Sequence, residues 1–376
     1  MAGVGASGTR RMRAAVLWEV GQPLQVREVE LEAPQAGEVE VAVAASGVCG
    51  SDVHQVLGEY RLPLPCVPGH EGAGVVERVG AGVSGLVPGD HVVLLWRSPC
   101  GRCGFCVAGR PALCEEAATL RQKGVLAGGT SRLRADGRTL HHFLGVSCWA
   151  EYAVVPAAAA VPIPAGIPAE YAALVGCAVV TGVGAAWNAA ALRPGQSAAV
   201  FGCGGVGLNV LQGAALAGAH PIIAIDAQPG KEALARTFGA THFLPAGDGA
   251  AAAVADLTGG GADVAFEAVG LPQLVETAIA ATRRGGLTVL VGVAPGGTVA
   301  RFDPQSLVQQ ERAIRGCLYG SGRPAQDIPQ LLRLFAAGRL RLGDLVSRRR
   351  GLGEINEAIA EMRTGTLARV VIDPRG

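Results

Sequence analysis

Short apolar runs broken by sharp turns organise the chain from Met12 to Leu95. AAVLW, LQVREVEL and EVEVAVAA are separated by Gly and Pro. Val39, Val41 and Val43 alternate with Glu38, Glu40 and Ala42, which is the period of a half-buried strand. PGHEGAGVVERVGAGVSGLVPGDHVVL continues in strands with tight turns, so the opening is β-rich. The pattern changes at Ser197. SAAVFGCGGVG reads as a short buried strand entering a glycine turn, LNVLQGAALAG continues as a helix, and PIIAI ends at Asp226. KEALARTFGATHFL, ADVAFEAVG and LTVLVGV repeat the strand and helix alternation of a doubly wound parallel sheet. Near the end, GEINEAIAEMRTG puts Ile355, Ala358, Ile359 and Met362 on one helical face, and Gly365 can stop that helix.

Length and composition narrow the function classes. A chain of 376 residues has room for two domains of ordinary size. With 49% apolar residues, 17% charged residues and a formal charge of +1, nothing marks a nucleic-acid surface, and a neutral small-molecule partner fits better. MAGVGASGTRR lacks the continuous apolar core of a secretory signal, so residues 1–11 read as a frayed tail before a strand that starts at Met12. The apolar stretch from Ala153 to Val180 is interrupted by Pro156, Pro162, Pro164 and Pro168, so no membrane span is expected and the protein reads as cytoplasmic. Ten cysteines in such a chain argue for reduced thiols and metal ligands over a disulfide framework.

Gly202, Gly204 and Gly207 form the G-x-G-x-x-G pattern, with Gly205 and Val206 inside it. The first glycine permits a tight turn, the second admits a pyrophosphate against the backbone, and the third lets helix and strand pack closely. In so glycine-rich a chain the pattern alone is weak. Strand, turn, helix, strand and a terminal acid at Asp226, in order, make it a strong dinucleotide signal.

The cysteine spacing carries the metal chemistry. Cys100, Cys103 and Cys106 lie three apart in PCGRCGFCVAGRPALC, and Cys114 follows after seven residues, a set suited to a closed tetrahedral zinc. Four cysteines can also hold an iron–sulfur cluster, but the bacterial ferredoxin run continues with a cysteine after three residues and a proline. Cys49 alone reads as a small buried hydrophobe and His70 alone as a loop histidine. Together, with Glu71 beside the imidazole and Cys177 as third ligand, they supply an open catalytic zinc site.

CGSDVH, GHEGAGVV, the four-cysteine lobe, GTSRL with HHFLG, GCAVVTGVGA, GCGGVG and INEAIAEMRTG together resemble a zinc-dependent medium-chain alcohol dehydrogenase from about Met12 to Asp373. The GTSR and HHFLG pieces resemble the liver-type branch that includes the class III enzymes, which oxidise thiol adducts of formaldehyde. The resemblance implies a Rossmann coenzyme domain over residues 179–321 and a discontinuous, β-rich, GroES-like catalytic domain from residues 1–178 and 322–376, with the active site between them. It implies two zinc ions per chain: Cys49, His70 and Cys177 around the catalytic one, Cys100, Cys103, Cys106 and Cys114 around the structural one. Ser51 matches the hydroxyl that hydrogen-bonds the alcohol, His54 the relay that passes its proton to solvent, and Glu71 a carboxylate near the zinc. Asp226 and Lys231 match residues that hold the adenosine ribose, and Arg369 one that reaches the pyrophosphate. Val291 and Val293 fall along the coenzyme. Asp226 would repel a 2'-phosphate, so NAD is expected over NADP.

The same correspondence puts Ser51, Leu57, Trp96, Phe143, Leu144, Val293 and Leu318 around the alcohol, an apolar and partly aromatic wall. It implies hydride transfer between NAD and a primary alcohol or aldehyde with an apolar or aromatic tail. Two departures qualify this. Gly50 stands where many relatives carry a basic residue for coenzyme phosphate, and Ala118 stands where glutathione-dependent class III enzymes carry an arginine, with Arg121 later. Glu115 and Glu116 would repel an anionic thiol. A formaldehyde dehydrogenase using another thiol is the alternative enzyme, and a non-catalytic NAD- and zinc-binding protein the alternative of another class. The resemblance implies a homodimer through edge strands near residues 301–318, with a homotetramer as the other possibility.

Overall fold

A computed structural model describes residues 8–376. Three sheets carry the fold. The six-stranded sheet is parallel throughout, in the order His242–Pro245, Ile222–Asp226, Ala198–Phe201, Ala262–Glu267, Thr282–Leu290, Ala313–Gly316. Its first strand in sequence, Ala198–Phe201, lies at the centre, so the strand order reverses beside the glycine turn that follows it. A crevice opens at such a switch point, outside the carboxyl ends of the strands. This is the doubly wound half of the α/β class read from the sequence.

The other two sheets form the β-rich half. One runs Arg10–Val16, Gln25–Leu31, Leu133–Ala135, Arg138–His142, Cys66–Val67. The other runs Ala160–Pro162, His91–Leu94, Glu71–Val79, Glu38–Val48, Arg369–Asp373, Val346–Gly351, with Tyr152–Pro156 also paired to Glu38–Val48. The last strand returns to the first half of the chain, since Val370 pairs with Val48 and Val371 with Gly47.

Two sequence expectations need correction here. The first strand begins at Arg10, two residues before Met12, because Arg10 is buried and its guanidinium donates to Glu40 at 3.1 Å. Of the expected tail, residues 1–7 lie outside the described residues. Strand Glu38–Val48 is buried on both faces rather than half-buried, with only Ala44 exposed. Its acids point into the protein and meet arginines there. Arg132 grips Glu38 through two bonds of 2.9 and 3.0 Å, and Arg78 joins Arg10 on Glu40. Alternation of charge with valine marked a surface that arginines from elsewhere in the chain cover.

A helical stretch from Ala169 to Ala189 joins the two halves. Pro168 precedes it, and the 21 residues beyond run unbroken, long and apolar enough to cross a membrane. Yet 89% of its most apolar window is buried inside the protein, between sheets, and it is the core helix of the molecule. Val175, Val179 and Val183 share one core with Val93 and Leu94 on one side and Val200 and Leu208 on the other. The expected boundary at 178/179 therefore falls inside a helix. Side chains are trimmed where backbone passes close: a Cβ on Gly176 would lie 2.6 Å from the Leu94 oxygen, and one on Gly182 2.4 Å from the Val206 oxygen.

Replacing Arg132 with Met should leave Glu38 charged, 3% exposed and unpaired. Denaturant unfolding should show a loss of about 3–5 kcal/mol, with most of it recovered in the double replacement Arg132→Met, Glu38→Leu.

Candidate active site and metal centres

Cys49, His70, Glu71 and Cys177 come from three places in the sequence and converge. All four are buried, and their ligand atoms lie within 4.8 Å of one another. Cys49 ends strand Glu38–Val48, His70 and Glu71 open the neighbouring strand, and Cys177 projects from a π-helical turn, Val175–Val179, of the core helix. Such widened turns re-aim a side chain and occur often at functional sites.

The electrostatics of this cluster favour a bound cation. His70 Nε2 lies 3.3 Å from Cys177 Sγ, while Nδ1 lies 3.1 Å from the buried Asp52 carboxylate. An ionised carboxylate only accepts hydrogen bonds, so Nδ1 carries a hydrogen and Nε2 is the nitrogen that faces the thiols and could ligate a metal. Burial opposes charge on His70, but Asp52 and the Cys49 thiolate push its pKa well above the ordinary value. A hydrogen bond from Cys177 lowers the Cys49 pKa, against burial and with help from Arg369 and His70. The same bond and burial raise Cys177. A divalent cation in this place would take both sulfurs as thiolates. Burial raises Glu71 to about 7, although Arg369 opposes this with bonds of 3.1 Å to each carboxylate oxygen.

Cys100, Cys103, Cys106 and Cys114 form the second set of ligand atoms within 4.8 Å. The sulfurs of Cys100 and Cys106 are 4.0 Å apart and all ten cysteines are free. A disulfide needs ~2.05 Å, whereas two thiolates on one tetrahedral zinc stand ~3.8 Å apart, as the ~2.3 Å Zn–S bond requires. Backbone amides already point at the sulfurs: Cys103 N donates to Cys100 Sγ at 3.3 Å and Cys100 N to Cys114 Sγ at 3.4 Å. The donor set and its spacing fit zinc.

The first cluster opens onto a cleft of about 600 Å³ between the two halves. Cys49, Ser51 and His54 line one side, and Gly202, Gly204, Gly205 and Val206 the other. Gly202 holds φ +96°, and a Cβ on Gly207 would stand 1.7 Å from the Gly202 oxygen, so strand, turn and helix Gly205–Leu216 close up only with glycine there. Asp226 sits at the end of its strand, accepts from Cys203 N at 2.7 Å and pairs with Lys231 Nζ at 3.1 Å. Both line the cleft, as do Val291, Val293 and Arg369. Arg369 is 3% exposed, bonded to Glu71 and 3.4 Å from Cys49 Sγ. A Cβ on Gly205 would meet its Nη1 at 2.1 Å, so the guanidinium lies between the metal cluster and the first turn of the helix.

Comparison with known proteins gives the lineage. The alcohol dehydrogenase GroES-like domain family matches residues 35–165, and the zinc-binding dehydrogenase family matches residues 205–337. S-(hydroxymethyl)glutathione dehydrogenase of Komagataella pastoris is 38% identical over 369 residues, spanning 96% of this chain and 97% of that protein. The chain belongs to the zinc-dependent alcohol dehydrogenases. Among solved structures it is similar to an alcohol dehydrogenase zinc-binding domain protein from Burkholderia ambifaria, with a TM-score of 0.93 and 39% identity over 97% of this chain and 99% of that one. It is also similar to benzyl alcohol dehydrogenase from Acinetobacter calcoaceticus, with a TM-score of 0.91 and 34% identity over 96% and 99%. Zinc and NAD are the cofactors of this dehydrogenase.

The expected alcohol wall is not gathered in one place. Ser51 and Val293 line the cleft, and Phe143 packs edge-on to His70 with ring centroids 5.8 Å apart. Trp96 and Leu144 line a separate cavity of about 180 Å³ under the cysteine lobe, and Trp96 leans on the buried Tyr319 ring at 4.5 Å. Leu318 lines a third cavity, and Leu57 is 38% exposed. Sequence reading passed over Asp52 and Tyr60. Asp52 bonds the amides of Cys49 and Gly69 at 2.9 and 3.1 Å as well as His70, so it ties both metal-ligand loops together. Its signal was present inside CGSDVH. Tyr60 lines the cleft near Ser51, and burial raises its phenol pKa.

Elemental analysis should find two zinc ions per chain. Cys103→Ser should retain one and unfold at lower temperature, whereas Cys177→Ser should also retain one, spare the lobe and lose NAD-linked alcohol oxidation.

Proposed function

We propose that this dehydrogenase oxidises a primary alcohol with an apolar or aromatic tail, passing hydride to NAD, and that it reduces the corresponding aldehyde in reverse. One observation carries the reading: the buried Cys49, His70, Cys177 cluster and the glycine turn of Gly202–Gly207 open onto the same cleft. Cys49, His70 and Cys177 would hold the catalytic zinc, and the cysteine lobe the structural one. Zinc supplies Lewis-acid polarisation of the alcohol and NAD the hydride acceptor.

The chain's own residues do the rest. Asp52 fixes the His70 tautomer, and the Glu71–Arg369 pair brings a carboxylate within reach of the ligand atoms. The Ser51 hydroxyl accepts the alcohol proton and relays it toward His54, which stands at the solvent side of the cleft with its side chain 28% exposed. Asp226, with Lys231 beside it, receives the ribose hydroxyls of NAD and excludes a 2'-phosphate by like charge. Val293 gives the reacting end an apolar wall.

A thiol-adduct substrate is the second reading, favoured by the name of the Komagataella pastoris relative. Formaldehyde oxidation that needs an added low-molecular-weight thiol would support it. Edge strand Ala313–Gly316 is largely exposed, and Val299, Phe302 and Val308 are exposed near it, which supports a homodimer through this edge. Ten free thiols support a cytoplasmic location.

Steady-state assays with NAD and NADP test the coenzyme side. The parent should turn over benzyl and medium-length primary alcohols with NAD, and Asp226→Gly should raise kcat/KM for NADP about tenfold or more by removing the like charge. Faster turnover of the parent with NADP would sink the assignment of Asp226.

A further inference from the structure

The turn after helix Gly50–Val56 brings a carboxylate against the relay histidine. Beyond the helix the chain folds back, and the amides of Glu59 and Tyr60 both donate to the His54 carbonyl, at 2.8 and 3.2 Å. This return places the Glu59 carboxylate in a direct hydrogen bond with His54 Nδ1. The Tyr60 ring covers the imidazole from the same turn, with centroids 5.4 Å apart. The side chains of His54 and Glu59 are 28% and 35% exposed, and His54, with Tyr60, lines the cleft.

The chemistry of that contact fixes the ring. An ionised carboxylate can only accept, so Nδ1 carries the hydrogen and the lone pair lies on Nε2. Other charged groups lining the cleft are already paired: Asp226 with Lys231, and Arg369 with Glu71. From helix Ile355–Arg363, which packs beside Gly50–Val56, the residue lining the cleft is the uncharged Met362. Among the described residues Glu59 is the carboxylate bonded to His54.

We propose that Glu59 is a positioning residue for the proton relay: it holds His54 as the Nδ1–H tautomer, keeps Nε2 free to accept, and balances the imidazolium that forms. The inference rests on the alcohol-oxidation reading above. The proton that leaves the alcohol arrives at Nε2, Nδ1–H stays bonded to Glu59, and Nε2–H is then lost to water, which restores the starting tautomer. No electrons move in these steps, because the hydride leaves separately to the nicotinamide. A hydrogen-bonded contact this exposed adds little to stability, so its loss shows in proton transfer rather than in folding.

Glu59→Gln keeps the shape and removes the charge, and Glu59→Asp keeps the charge on a shorter arm. Three readouts on the zinc- and NAD-loaded enzymes decide the matter: kcat for alcohol oxidation, the solvent deuterium isotope effect on it, and the 15N shifts of the His54 ring. Glu59→Gln should lower kcat about tenfold at unchanged KM for NAD. Proton transfer then limits turnover more strongly, so the solvent isotope effect on kcat should rise. The 15N signal should change from one tautomer to a mixture, and Glu59→Asp should restore part of each effect. A Glu59→Gln enzyme with the parent's kcat, isotope effect and Nδ1–H signal would overturn the proposal. A parent that oxidises no alcohol would overturn the functional reading instead, and the 15N shifts would still decide the Glu59 contact.

Discussion

Everything chemical in this protein depends on one helix being packed from both sides. Ala169–Ala189 belongs to neither half alone, since its valines and alanines fill a core shared with the seven-stranded sheet and with the parallel sheet. Close packing leaves such an element no freedom to shift by a methyl group without strain. Cys177 rides on its π-helical turn, and the Gly182 face touches the helix that follows the glycine turn. One rigid body therefore sets the distance between a metal ligand and the coenzyme fold. The metal cluster and the glycine turn can share a cleft because this helix is their common mount.

Buried charge is the second constraint, and it is arranged in chains rather than isolated pairs. Asp52 links His70 to the Cys49 and Gly69 amides, while Glu71 links the cluster to Arg369, and Arg369 to the Gly205 turn. An unpaired charge at this depth would cost several kcal/mol, so each group is stable only while its neighbours stay ionised. Two thiols, Cys49 and Cys177, stand in that chain beside a histidine and a carboxylate, a donor set that reads as a metal centre on chemical grounds independent of any likeness.

Legibility in the sequence followed how local each signal was. The glycine turn was readable because strand, turn and helix are contiguous, and the four-cysteine lobe because its ligands lie within fifteen positions. Cys49, His70 and Cys177 are far apart, and the donor chemistry an open zinc site requires grouped them, with the resemblance agreeing, before the fold did. Asp52 went unread because one acid in a helix's first turn has an ordinary explanation as a cap, and only the fold shows His70 beside it. Glu38 and Glu40 misled for the same reason: alternating acids signal solvent unless arginines from distant segments are known to reach them. The alcohol wall was least legible, since which apolar side chain faces a cleft depends on sub-ångström packing that no spacing encodes.

Gly50 gives these pieces a joint consequence. With no cation directly after Cys49, Arg369 is the guanidinium nearest the helix turn that would receive a pyrophosphate. Its Nε and one terminal nitrogen are spent on Glu71, and Nη1 donates to the Ala368 oxygen at 2.9 Å. Nη2 also donates to Cys49 Sγ at 3.4 Å, so of the five N–H groups of this planar fork one, on Nη1, is left, in a direction that a lysine in this place would not fix. A phosphate received at that turn would share one guanidinium with Glu71, so the coenzyme side and the metal side of the cleft meet at a single arginine.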